Sequence, residues 1–269
     1  MLKDITLGQY LPGNSVVHRI DPRFKLIITA VFMGMLFAAK DILGLALGGI
    51  FAMTAFGMSG ISPRIMFKSF KPLLPLVLFT AVFDLFFIKG GEVWLNWYFI
   101  EITQEGVDVT VFMVLRILFL ILGTSLLTYT TSPIVLTDAI ERLFSPLKKL
   151  KLPVHEFALM MTIALRFIPP LLQETDKIMS AQKARGADFE SGNLLKRVKS
   201  LTPVLIPLFV SAFMRAEELA LAMTCRGYTG GEGRTRLRQI KSGVKDYAAL
   251  TVTVLFFAAV IIIGNLQLL

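Results

Sequence analysis

The sequence is short of the residues that do chemistry. It holds one cysteine and two histidines in 269 residues. A single cysteine closes no internal disulfide, so the redox compartment is left open. Two histidines and one cysteine are too few soft ligands to expect a protein-held metal, and no cofactor is expected either. Charged residues make up only 17% of the chain, where an ordinary soluble domain carries about 25%. No G-x-x-x-x-G-K-[ST] phosphate loop occurs. If ATP drives this protein, another chain hydrolyses it. The nearest catalytic matches fail on inspection. His155-Glu156 opens like H-E-x-x-H but lacks the second histidine. Ser145 begins an S-x-x-K match without its companion motifs. No nucleophile, metal set or acid dyad suggests an intramembrane enzyme, so a non-catalytic protein is expected. The first 25 residues lack the apolar run of a signal peptide, so secretion is not expected.

What fills the space is apolar. Hydrophobic residues make up 55% of the chain and there are 22 Phe, a composition that points to the lipid bilayer. A spanning helix needs about 20 predominantly apolar residues. Five stretches qualify: residues 24–39, 42–62, 73–88, 109–129 and 247–269. The third is interrupted by Asp84 and the fourth by Arg116. Loop charge orients them. Arg64, Lys68 and Lys71 follow the second stretch with no acid among them, which marks the cytoplasmic side. After the third, Lys89 stands against Glu92, Glu101, Glu105 and Asp108, which marks the outside. Trp94, Trp97 and Tyr98 in that loop suit an interfacial belt. The expectation is an all-α polytopic membrane protein of the cell membrane with about five transmembrane helices and a cytoplasmic N-terminus. Residues 1–130 carry four helices, 131–246 a helical cytoplasmic coupling region, and 247–269 the last helix.

The middle block is the unusual part. Residues 154–172 and 201–214 are apolar, yet each leads into a polar helical stretch. One ends at Ala184-Arg185-Gly186 and the other at Cys225-Arg226-Gly227, 41 residues later. Counting back from each Arg, Asp176 matches Glu217, Ile178 matches Leu219 and Ala181 matches Ala222. Between Glu174 and Lys245 there are 13 Lys and Arg against 7 Asp and Glu, a local net of +6 out of +9 for the chain. Lys196, Arg197, Lys199, Arg234, Arg236 and Arg238 suit lipid headgroups. Aromatic residues are not interleaved with them, so nucleic acid is not expected as a partner.

Glycine just past a helix end supplies the positive φ that closes it. Each Arg then lies in its helix's last turn. Two readings stand side by side. The cation complements the helix dipole, or its planar fork reaches a carboxylate or carbonyl on another protein.

The ordered motifs resemble those of a known family. "LGQYLPGNSVVHRIDPRFKL" at the start, "ALRFIPPLLQETDKI" in the middle, and "RAEELALAMTCRGY" followed by "GRTR" are similar to the transmembrane T component of energy-coupling factor transporters. That resemblance implies a coupling subunit of an ABC-type importer of vitamins or metal ions. It implies two ABC-type ATPase subunits docked at Ala184, Arg185, Gly186 and at Cys225, Arg226, Gly227. The second motif departs from the family's Ala-Arg-Gly by Cys for Ala. The resemblance also implies a separate substrate-capture membrane protein, and the N-terminal motif looks most like the shared, vitamin-type systems. Leu159, Ile163 and Phe167 form one apolar stripe that suits internal packing first and that capture protein second. The rival reading is an ion-coupled secondary carrier built on Asp84 and Arg116. Its bland counterpart pairs these two with each other or with the backbone.

Overall fold

The computed structural model describes residues 10–97, 100–189, 193–230 and 242–266. Its helices are α1 (Val16–Arg19), α2 (Pro22–Ala38), α3 (Ile42–Ser59), α4 (Pro63–Phe70), α5 (Leu74–Phe87), α6 (Gln104–Thr130), α7 (Pro133–Phe144), α8 (Val154–Ala184), α9 (Leu194–Cys225) and α10 (Val244–Leu266). The chain divides into two units, residues 8–139 with 239–269, and residues 1–7 with 140–238. Among the described residues the first unit therefore holds α1 to α6 and α10. The second holds α8 and α9.

Local chemistry starts the helices where the sequence allows. Asp21 caps α2 by accepting from the Arg23 amide, and Pro22 takes the first turn, where its missing N–H costs nothing. Thr103 caps α6 in the same way, through the Gly106 amide. Gly60 ends α3 at φ 69°. The loop between α5 and α6 is a two-stranded antiparallel ribbon, β1 (Val93–Trp97) with β2 (Ile100–Thr103), which no apolar pattern announced. Tyr98 lies outside the described residues, and Trp97 and Glu101 are described by backbone alone.

The core of the first unit lies where α2, α3, α6 and α10 pack together. Phe32, Met35 and Leu36 of α2 meet Leu45 and Ala52 of α3, Leu122 of α6 and Val260 of α10. Gly49 of α3 makes room for the Phe119 ring of α6, since a Cβ there would stand 2.4 Å from it. A charged clamp holds the same bundle at the starts of α2 and α10. The Asp246 carboxylate accepts from the Asp21 amide at 2.8 Å and the Gly243 amide at 2.7 Å. Arg23 donates to Asp21 at 2.7 Å and to Ser242 at 3.1 Å. Lys25 donates to the carbonyls of His18 and Thr130 at 3.2 and 3.0 Å and to Thr131 Oγ1 at 3.3 Å. Buried polar groups of this kind are tolerated only when paired.

Among the described residues, five helices are long and apolar enough to cross a membrane: Ile42–Ser59, Pro63–Phe87 (α4 and α5 joined by one 3₁₀ turn), Gln104–Thr130, Val154–Ala184 and Val244–Leu266. The protein is an all-α multi-pass membrane protein. Membership of the set departs from the sequence expectation. α2 forms over the expected stretch but has 17 residues, the lower limit for a span. α8 joins the set on length and composition, and is the least apolar of the five. His155, Glu156 and Arg166 lie inside it without breaking the helix.

Candidate functional site

Both Arg-Gly motifs end long helices, and both helices are continuous. α8 has 31 residues and α9 has 32, so each is close to 50 Å long at the standard rise of about 1.5 Å per residue. Pro169 and Pro170 lie inside α8, and Pro203 and Pro207 inside α9. Proline in these interiors removes main-chain bonds but does not stop either helix.

The two ends are built alike. Arg185 and Arg226 are the C-cap residues, at φ −85° and −88°, one position beyond the last turn that the sequence pattern suggested. Gly186 and Gly227 follow with φ 87° and 69°. The Gly186 amide donates to Lys183 O at 3.0 Å and the Ala187 amide to Gln182 O at 2.9 Å. At the second end the Gly227 amide donates to Thr224 O at 2.9 Å and the Tyr228 amide to Met223 O at 3.0 Å. This pair of bonds, made after a left-handed glycine, is the Schellman closure.

The terminal carbonyls are already taken by main-chain amides. Neither guanidinium has a partner among the described residues, and both arginines are exposed, as are Ala184, Gly186, Cys225 and Gly227. Each Arg is thus held at a fixed, left-handed corner with all five donors free.

An ion pair sets the two helices in register. Arg215 of α9 donates to Glu174 of α8 at 2.9 Å. Glu174 stands 11 residues before Arg185, and Arg215 stands 11 residues before Arg226. Each tip therefore lies about 16 Å of helix beyond the pair. Sequence reading missed this pair, although it falls on the same 41-residue offset as the three matches already noted. It hid because the matched positions are opposite in charge, so they look like a mismatch.

The remaining candidates fall as follows. Leu159, Ile163 and Phe167 are each half-buried on α8. The more open apolar positions are Phe157 and Met160 on α8 and Phe209 and Phe213 on α9, all at least 60% exposed. His155 Nδ1 donates to Glu141, a buried residue on α7, at 3.0 Å. Arg116 donates to the Ala39 carbonyl at 2.8 Å and lies over the Phe112 ring, 4.4 Å from its centroid. It ties α6 to the end of α2, so the backbone is its partner. Asp84 is half-buried on α5 and has no partner among the described residues. Arg234, Arg236 and Arg238 lie outside the described residues, and Lys196 is described by backbone alone.

Comparison with known proteins agrees with this picture. The model of the cobalt transport protein family, CbiQ, matches residues 13–237. The energy-coupling factor transporter transmembrane protein EcfT of Ruminiclostridium cellulolyticum is 51% identical over 262 residues, spanning 97% of this chain and 98% of its own. The protein of that name from Thermosediminibacter oceani is 52% identical over 252 residues, 94% of this chain and 95% of its own. That from Bacillus subtilis is 47% identical over 261 residues, 97% of this chain and 98% of its own. With two exposed arginine tips in matched register and near-full-length similarity of this order, the chain belongs to the family of energy-coupling factor transporter transmembrane proteins.

Proposed function

We propose that this chain is the mechanical link of an ATP-driven importer. Two ABC-type ATPase subunits dock at the ends of α8 and α9 on the cytoplasmic side. Arg185 and Arg226 enter their surfaces, flanked by Ala184 and Gly186 on one tip and Cys225 and Gly227 on the other. A substrate-capture membrane protein rests on the apolar faces of the same helices, through Leu159, Ile163, Phe167 and the more open Phe209 and Phe213. The chain itself hydrolyses nothing. Its spans in residues 1–130 and 247–269 hold it in the cell membrane with the N-terminus inside, and residues 131–246 do the coupling. On this reading α2 crosses the bilayer and α8 serves as a coupling helix. The imported substrate is a vitamin, and a metal ion is the second choice.

The observation that supports this reading most is the matched pair of tips. Two Schellman ends present two unpaired guanidiniums at equal distance from one ion pair. A rotation of ~10° about that crossing moves each tip by about 3 Å. Motion of docked ATPases is thereby converted into motion of the helices that carry the capture protein. Charge reversal at both tips tests it. The Arg185→Glu/Arg226→Glu chain, co-expressed with its ATPases, should lose them on purification and lose ATP-driven uptake in vesicles.

The carrier alternative needs Asp84 and Arg116 to act as a pair on a transport path. Arg116 is engaged with Ala39 and Phe112 instead, and no bond joins it to Asp84 among the described residues. No observation favours that reading.

A further inference from the structure

A cleft of about 610 Å³ opens into the bundle of the first unit, between α2, α3, α6 and α10. It is the size of an ordinary ligand cavity, and the docking function leaves it unused. We propose that it seats one acyl chain of an anionic phospholipid from the leaflet at the cytoplasmic end of the bundle.

The wall selects hydrocarbon. Ile28, Phe32, Phe51, Leu126, Val252 and Phe256 are among its apolar side chains. Four threonines line it as well, and each hydroxyl is spent within its own helix. Thr29 donates to Lys25 O, Thr54 to Phe51 O, Thr130 to Leu126 O and Thr253 to Ala249 O. Lys25 also reaches the wall, with its three ammonium protons already directed at His18, Thr130 and Thr131. A polar ligand such as a vitamin finds no free donor there, and burying its polar groups unpaired is costly. A saturated chain loses nothing.

The placement selects a lipid. The lining gathers toward one end of the bundle: residues 25–32 of α2, 51–58 of α3, 123–130 of α6 and 245–256 of α10, with Val16 and Val17 of α1 beside them. On α10 the lining runs from Lys245 to Phe256, a rise of about 16 Å. Half of a hydrocarbon core of about 30 Å is about 15 Å, so the cleft is one leaflet deep. At its rim stands Lys245, exposed and without a partner among the described residues. A cation at that height fits a phosphate headgroup. Which leaflet this is rests on the proposed orientation; occupancy by a chain does not.

The experiment is native mass spectrometry of the full chain, exchanged from detergent and titrated separately with diacyl phosphatidylglycerol, diacyl phosphatidylcholine and inorganic phosphate. The wild type should keep one phosphatidylglycerol, bind phosphatidylcholine less well, and ignore phosphate. Ala55→Trp on α3 and Ala249→Trp on α10 fill the cleft from opposite walls. Either should weaken retention about tenfold or more while the chain stays monodisperse and helical. Lys245→Gln should cut the preference for the anionic lipid about fivefold and leave chain binding in place. Unchanged retention in both tryptophan variants would overturn the proposal. So would binding of phosphate alone, or a co-purifying polypeptide displaced by the same variants. None of these readouts involves the ATPases, so failure here is separate from failure of the docking proposal.

Discussion

Replacing Gly186 or Gly227 with alanine should weaken docking without unfolding the protein. The reasoning begins with backbone angles. Both glycines hold positive φ, 87° and 69°, and a Cβ built on either meets nothing within 4 Å. Steric crowding is thus absent, and the cost is the left-handed conformation alone, about 1–2 kcal/mol for an L-residue. Part of the population escapes that cost by opening the closure, which releases the two main-chain bonds at each end and turns the arginine away. If docking requires the closed corner, apparent affinity at that end falls by roughly 5- to 30-fold. Asparagine adds as much bulk but tolerates the left-handed region. Gly186→Asn and Gly227→Asn should therefore dock much better than the alanine variants. The assay is co-purification of co-expressed ATPases on the tagged chain, with amide exchange at residues 186 and 187 as a local readout. Gly49→Ala is the contrasting control. Its Cβ would stand 2.4 Å from the Phe119 ring, so it should overpack the bundle by about 1–3 kcal/mol. It should lower the melting temperature and spare docking. Equal docking by the glycine, alanine and asparagine chains would refute the idea that the corner aims the arginine.

Two further substitutions bear on other parts of the account. Glu174→Arg breaks the pair with Arg215, whose side chains are 25% and 43% exposed, so the loss of stability should be small. Uptake should drop more than stability does, and the swap Glu174→Arg/Arg215→Glu should recover both, because the register returns. Asp84→Asn should leave ATP-dependent uptake unchanged. Arg116→Leu should destabilise the bundle by about 1–3 kcal/mol, since the Ala39 carbonyl loses its donor, yet whatever folds should still require ATP. A proton-driven, ATP-independent uptake abolished by either change would revive the carrier.

The sequence made four of the five candidate spans legible, because apolar composition acts over 20 residues at once; α8, whose apolar half runs into a polar one, was not among them. The sequence also made the two tips legible because glycine after a helical run has few other uses. The ribbon of Val93–Trp97 with Ile100–Thr103 was not legible: its strands are too short for alternation to register, and it lies among acids that read as loop. Nor was the clamp on Asp246. Asp21 and Asp246 are 225 residues apart, and nothing local signals that one carboxylate receives the other's amide. The Glu174–Arg215 pair lay in plain view at the motif spacing, but a repeat search looks for sameness, and a salt bridge needs difference. The stripe of Leu159, Ile163 and Phe167 shows the limit of periodicity. The structure leaves those side chains half-buried and exposes Phe157 and Met160 beside them.

The most direct test of the central claim is co-purification of the Arg185→Glu/Arg226→Glu chain with its ATPases. Each tip presents a free guanidinium, and two linked contacts raise one another's effective concentration. Single reversals should thus reduce ATPase recovery partly, and the double reversal should abolish it along with ATP-driven uptake, while the chain remains helical in the membrane. Full recovery of both ATPases with the doubly reversed chain would contradict the account.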